Sequence, residues 1–373
     1  MALADVSVDL FPERLGKEME DQSLGCDVLA KRSSIPEAEI QKYLDGAERP
    51  RPRAVIKIAQ ALRVPRGWLV RPEPFYIASR KVALGGEFEA EFERELKRIA
   101  YDVTLLLDEG IVRGVEVAEF GELRQSHDPE IVATRVREHL GLANRPVTDV
   151  SAACDEFGLL VFVGTFDNAP FAGSMVQIEP VIGRNRLGIA LINDSLKVGE
   201  ETKSRLSGLA NTRFAAAHEL GHWLTGDGYS AHSSASEEER LIDLFAQHFL
   251  LPRGFANRRW NELGHECRPR ARAIAISAES GTSWSVTLRQ LRFFDLITDE
   301  ELANLKFETP TSEEFADLGY DGAAFAPLSR TPARFNEAVE KAYREGNLTD
   351  TRANDLLRSD RAGTEPPERF GVG

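Results

Sequence analysis

His218, Glu219 and His222 stand in the run His218-Glu219-Leu220-Gly221-His222, and their types and spacing suit metal-assisted hydrolysis. On a helix, residues i and i+4 project from one face about a turn apart, so two imidazoles can offer nitrogens to one ion. The glutamate beside them would reach a water in an open coordination position. There a zinc ion lowers the water's pKa towards about 7 and a carboxylate can take its proton. The bland alternative is a surface helix that carries the same residues by coincidence. The flanks favour a packed helix: Asn211 or Thr212 can cap it, Phe214, Ala217, Leu220, Gly221 and Leu224 share a side, and Gly226 and Gly228 end it.

A catalytic zinc usually takes three protein ligands and one water, so the chain must supply another donor. Glu239 and Asp243 are again i and i+4 on a predicted helix. One of these carboxylates can ligate the metal while the other accepts the free ring N–H of a ligand histidine. Two alternatives stay open. Ser236 can cap this helix with Glu239 closing a capping box, and Glu237 or Glu238 can take the ligand place if the helix starts elsewhere. His232 and Tyr229, in the loop between the two helices, can steady a tetrahedral oxyanion or stand as solvated polar groups. His248 lies five residues beyond Asp243, off the ligand face, and reads as structural.

The HExxH helix, the intervening loop, and a second helix of the form Glu239-x-x-x-Asp243-x-Phe245-Ala246 ending in Leu250-Leu251-Pro252 together resemble the ImmA/IrrE family of metallopeptidases, relatives of the thermolysin-like enzymes. Residues 127–163 are similar to that family's lead-in helices and first strand, and Leu187 to Asn193 to its strand before the catalytic helix. The likeness covers residues 127–252. The departures are Leu241-Ile242, where the family often has Glu-Ala, and Phe249 in place of Leu. The resemblance implies His218, His222 and Glu239 as ligands, Glu219 as base and Asp243 as the group orienting a ligand histidine. It also implies one Zn2+ per chain, with Mn2+ as the alternative ion, and a protein substrate of the helix-turn-helix repressor kind, whose cleavage switches stress or mobile-element genes. A strand beside the zinc helix pairs with substrate backbone in such enzymes, which points to residues 172–175 or to the Leu187 strand.

The elements that would position these residues follow from pattern. Short runs rich in Val, Ile and Leu at 158–163, 173–181 and 187–192 read as strands. Upstream, Phe88, Phe92, Leu96, Ile99, Val103 and Leu106 recur at helical spacing in a helix expected from Glu87 to Glu109. Residues 1–72 read as five short helices with a core of Leu15, Leu29, Ala30, Ile35, Ile40, Leu44, Ile58, Ala59, Leu62 and Leu69. That pattern resembles the phage-repressor (Xre-type) helix-turn-helix domain, with the recognition helix at 36–45. Gln41, Lys42, Tyr43, Arg49, Arg51 and Arg53 are the candidate DNA contacts. Against DNA reading, residues 1–72 carry 12 Lys and Arg to 11 Asp and Glu, and Glu37 and Glu39 open the proposed recognition helix. The other reading is a helical interaction module.

The expected fold is multidomain and mainly α with a small mixed sheet. It comprises a helix-turn-helix domain (1–72), a helical connector (73–126), an α+β thermolysin-like (gluzincin) peptidase domain (127–252), a helical C-terminal region with a winged-helix-like part (253–360) and a disordered tail (361–373). Within 253–360, residues 298–330 read as an acidic linker and 331–359 as two helices. A chain of 373 residues has room for two or three cores. No run approaches the roughly 18 apolar residues of a membrane span and no signal-peptide core opens the chain, so the expected location is the cytoplasm, with no membrane partner. Cys26, Cys154 and Cys267 are too few and too scattered for a disulfide framework and read as small buried residues. No Gly-rich phosphate loop implies a nucleotide cofactor. A homodimer is a further expectation. The rival function is a non-proteolytic transcription regulator or antitoxin in which the peptidase fold senses a signal.

Overall fold

A computed structural model describes residues 10–64, 66–70, 87–116, 128–166, 172–178, 185–195, 205–225, 236–320, 325 and 327–357. In chain order it begins with α1 (Phe11–Asp21), α2 (Cys26–Ser33), α3 (Glu37–Leu44), α4 (Pro52–Leu62), α5 (Arg66–Val70) and α6 (Glu87–Asp108). Then come β1 (Val115–Glu116), α7 (Pro129–His139), α8 (Val150–Glu156), β2 (Leu159–Gly164), β3 (Gly173–Ile178) and β4 (Asn185–Asn193). They are followed by α9 (Arg205–Thr225), α10 (Ser236–Leu250), α11 (Arg253–Leu263), α12 (Pro269–Ser280) and α13 (Trp284–Phe293). The last are α14 (Asp299–Lys306), α15 (Ser312–Asp317), α16 (Ala333–Arg344) and α17 (Asp350–Leu357). The protein is mainly helical with a small mixed sheet, and no described helix is long and apolar enough to cross a membrane. The expected tail, 361–373, lies outside the described residues.

The chain divides into two compact units, one made of 1–75, 97–113 and 333–373, the other of 76–96 and 114–332. In the first, α1 to α5 close around Phe11, Leu15, Leu29, Ile35, Ile40, Tyr43, Ile58, Leu62 and Leu69. Ala30 and Leu44 pack at its margin. The same unit holds a buried ion pair from Arg352 of α17 to Asp102 of α6, and the Arg352 guanidinium lies 4.4 Å over Trp68. The segment 253–360 is therefore shared: 253–332 belongs to the second unit and the two C-terminal helices to the first.

In the second unit β4 is the central strand. β2 pairs with it in parallel through Val161 and Ala190, and β3 antiparallel through Met175 and the same Ala190. β1 adds two residues antiparallel to Asn185 and Arg186. The strands are buried on both faces, which is why their sequences run apolar without alternation. One face, with Val161, Val163, Met175, Ala190 and Ile192, joins Ala216, Leu220, Trp223 and Leu224 of α9 and Phe245, Ala246 and Phe249 of α10 in a single core. Asp128 and Asp149 cap α7 and α8 through hydrogen bonds to the first-turn amides.

Several expectations are corrected. The helix that carries His218 and His222 begins at Arg205, not at an Asn211 or Thr212 cap; the Thr212 hydroxyl instead donates to the carbonyl of Leu209 at 2.9 Å, inside the helix. Residues 298–330 are not simply a linker, because capping boxes Thr298/Glu301 and Thr311/Glu314 start α14 and α15. Residues 253–317 hold five helices and no strand, so the winged-helix likeness fails for want of a wing; Trp260, Ile274, Ile276, Leu288 and Leu291 form an all-helical core there. Of the cysteines, Cys154 alone is buried.

Candidate metal centre

The centre is assembled by the packing of α9 on α10, and Gly221 sets how near they come. A Cβ built on Gly221 would lie 2.8 Å from Cδ1 of Phe245 and 2.9 Å from Cγ2 of Ile242. Any other residue there would push the helices apart or force those two side chains from their rotamers. The azimuth of α9 is fixed from the sheet side. The Trp223 indole N–H donates to the Phe157 carbonyl at 2.6 Å, and its ring lies against Gly188 of β4, where a Cβ would come within 2.8 Å of Cε3. Upstream, the wholly buried Arg213 donates to the carbonyls of Val147, Thr148 and Gly281 and lies 4.2 Å under Phe325. Burial lowers its pKa to about 10, and the carbonyls satisfy the charge it keeps.

With the helices so held, His218, His222 and Glu239 converge. The two Nε2 atoms are 2.9 Å apart, and Oε2 of Glu239 is 3.2 Å from the first and 3.6 Å from the second. A tetrahedral zinc with bonds of about 2.0–2.1 Å needs donor spacings of about 3.3 Å, and the three edges straddle that value. Asp243 accepts from Nδ1 of His218 at 2.9 Å, which puts the ring proton on Nδ1 and turns the Nε2 lone pair towards its two neighbours. Three lone-pair donors facing one point repel unless a cation lies among them. Burial acts to lower the His218 pKa, but the Asp243 and Glu239 carboxylates outweigh it and push it up to about 9; without a metal, a proton serves as that cation. Two imidazoles and a carboxylate are also the donor set of catalytic zinc sites.

Glu239 thus stands at the cluster, while Glu237 and Glu238 have no described side chain. α10 starts at Ser236, so Ser236 is the first helical residue and Glu239 the fourth, one beyond the capping-box position. Glu219 is buried at 7% exposure beside the start of β3, where a Cβ on Gly173 would be 3.4 Å from its Oε1. β3 has β4 as its partner among the described strands, whereas β4 has neighbours on both edges. The Leu187 strand is therefore excluded as a docking edge, and residues 172–175 remain. Trp223 is the positioning residue that sequence reasoning missed; Gly221 was read there only as part of the packed side of the helix, not for the approach it allows.

His232 and Tyr229 lie outside the described residues. His248 is buried away from the cluster with Nδ1 3.3 Å from Nε2 of Gln290, and burial pushes its pKa down against the pull of Glu130. In the first unit, Gln41, Lys42, Arg49, Arg51 and Arg53 are exposed. Gln41 donates to Asp45 at 2.9 Å and Lys42 pairs with Glu48 at 3.3 Å. Tyr43 is a correction: it is wholly buried, edge-on to Phe11, with its hydroxyl on Glu39, and cannot reach a groove. No family model, curated protein or solved structure matches the chain.

Proposed function

We propose that this chain is a zinc-dependent endopeptidase of the ImmA/IrrE kind. In this reading the second unit contains a thermolysin-like (gluzincin) fold, and the first contains an Xre-type helix-turn-helix fold that selects a partner protein. The observation that carries the reading is the triangle of His218, His222 and Glu239 with Asp243 on the far nitrogen of His218. Zinc held there supplies an activated water and polarises a substrate carbonyl. Glu219, buried beside the start of β3, would take the proton of the attacking water. The β3 edge accepts the substrate backbone as an added strand, with the Glu219 carboxylate beside its Gly173 end. The substrate class is a helix-turn-helix repressor or antitoxin-like protein of the cytoplasm, and cutting it controls stress or mobile-element genes.

Metal analysis of the purified full chain, with variants, tests this. Wild type is expected to hold about one zinc per chain, Glu219→Gln to keep the zinc and lose cleavage, and Glu239→Gln to lose zinc affinity. Metal loss in Glu219→Gln, or unchanged affinity in Glu239→Gln, would overturn the assigned roles. The second reading, a non-proteolytic DNA-binding regulator, is favoured by one observation, the exposure of Arg49, Arg51 and Arg53 just after α3.

A further inference from the structure

The arginines that follow Pro252 differ in what they meet. Arg253 pairs with Glu130, Arg258 with Glu262, Arg259 with Glu279 and Arg270 with Glu314. Arg272 is only 7% exposed, yet among the described residues its side chain has no hydrogen-bond or ion-pair partner, and its Nε is fully enclosed. The guanidinium carbon lies 3.9 Å over the ring of Trp260. Such a contact contributes about 0.5–2 kcal/mol. It leaves the enclosed Nε without an acceptor and the two terminal nitrogens, which are not enclosed, without a protein partner among the described residues.

Helical side chains lean back towards the helix N-terminus, and Arg272 lies one turn into α12, within a side chain's reach of that end. There the N-cap position is Arg268, which makes no side-chain cap, and Pro269 follows. The next amides are left to an outside acceptor, at the positive end of the helix dipole. Arg268 is exposed and stands one turn before Arg272 on the same face. The nearby carboxylate of Glu314 is held by Arg270 in a two-point contact of 2.7 and 2.9 Å, which neutralises it.

We propose that Arg272, Arg268 and the first amides of α12 form a site for a small oxyanion, the phosphate or carboxylate group of a small molecule, seated beside Trp260. The site is independent of the metal centre.

The test is thermal melting of the full chain titrated with inorganic phosphate, with acetate, and with chloride at matched ionic strength. A saturable rise in melting temperature with phosphate or acetate, absent with chloride, is expected; the stronger of the two identifies the source as a phosphate ester or a carboxylate. Arg272→Met should remove the response while melting at or above wild type in chloride, because an apolar side chain of similar volume replaces an unpaired charge. Arg268→Ala, at an exposed position, should weaken the apparent affinity at least fivefold without altering the fold. An equal oxyanion response in Arg272→Met and wild type, or a wild type that responds no more to phosphate and acetate than to chloride, would overturn the proposal.

Discussion

Replacing Gly221 by alanine isolates the helix approach that builds the metal centre. The added methyl would sit 2.8 Å from Phe245 and 2.9 Å from Ile242, about 0.7 Å inside a normal carbon–carbon contact of about 3.5–4.0 Å. Relief requires α9 and α10 to separate by several tenths of an ångström or both side chains to leave their rotamers, at a cost of about 1–3 kcal/mol. Alanine also restores about 1 kcal/mol of helix propensity, so the net loss of stability is about 0–2 kcal/mol. Zinc binding is the sharper readout. Ligand distances tolerate only about 0.2 Å, and Glu239 is on α10 while both histidines are on α9. The expected loss of zinc affinity is at least tenfold, the scale of disturbing a ligand's support, measured by competition with a chromophoric chelator. Gly208→Ala on the same helix, where a Cβ meets nothing within 4 Å, should keep full affinity and gain up to about 1 kcal/mol. Wild-type zinc affinity in Gly221→Ala would refute the argument that this glycine sets the ligand geometry.

Three further outcomes are expected. Because the metal-free pKa of His218 is raised to about 9 from an unfolded value of about 6.5, the charged form stabilises the apo protein fully below pH about 6.5. That stability, of order 3 kcal/mol, is lost as pH rises through 9; by the same linkage zinc binding should release about one proton from Nε2 at pH 7.5 and none near pH 10, read by calorimetry in buffers of different ionisation enthalpy, and pH-independent release would be inconsistent with it. Asp102→Ala should destabilise the first unit by about 3–5 kcal/mol, since it strands the buried Arg352, while adding Arg352→Met should recover most of the loss; denaturant unfolding followed through Trp68 decides, and equal stability of single and double variants would refute the pairing. In mobility-shift titrations at near-physiological salt the chain should bind its own upstream DNA weakly and without sequence preference, given the near-neutral count over residues 1–72 and the burial of Tyr43. Sub-micromolar selective binding, abolished by changing Arg49, Arg51 and Arg53 to alanine, would favour the regulator reading instead.

What the sequence made legible was local. The HExxH spacing needs only one helix to bring His218 and His222 together, and the five-helix pattern at the N-terminus needs only apolar periodicity. The third donor was legible only as a set of alternatives, because its choice depends on how near α10 comes to α9, and that rests on what Gly221 lacks. β3 and β4 could not be ranked either, since edge and centre are properties of the sheet. Tyr43 reads as a groove contact from its place on α3, and only the close approach of Phe11 shows it to be core.

Charge was the least legible property of all. The run from Arg253 to Arg272 reads as a basic stretch, but four of its arginines are neutralised by partners between 4 and 123 residues away. Pairing of that kind depends on tertiary approach: Glu130 reaches Arg253 because α7 packs on α10, and Glu314 reaches Arg270 because a capping box starts α15 beside α12. Once those pairs are subtracted, the stretch retains two arginines without an ionic partner among the described residues, one at the N-cap of α12 and one a turn into it. The charge that matters for binding is thus the remainder after packing, and it falls where a backbone N-terminus already favours an anion.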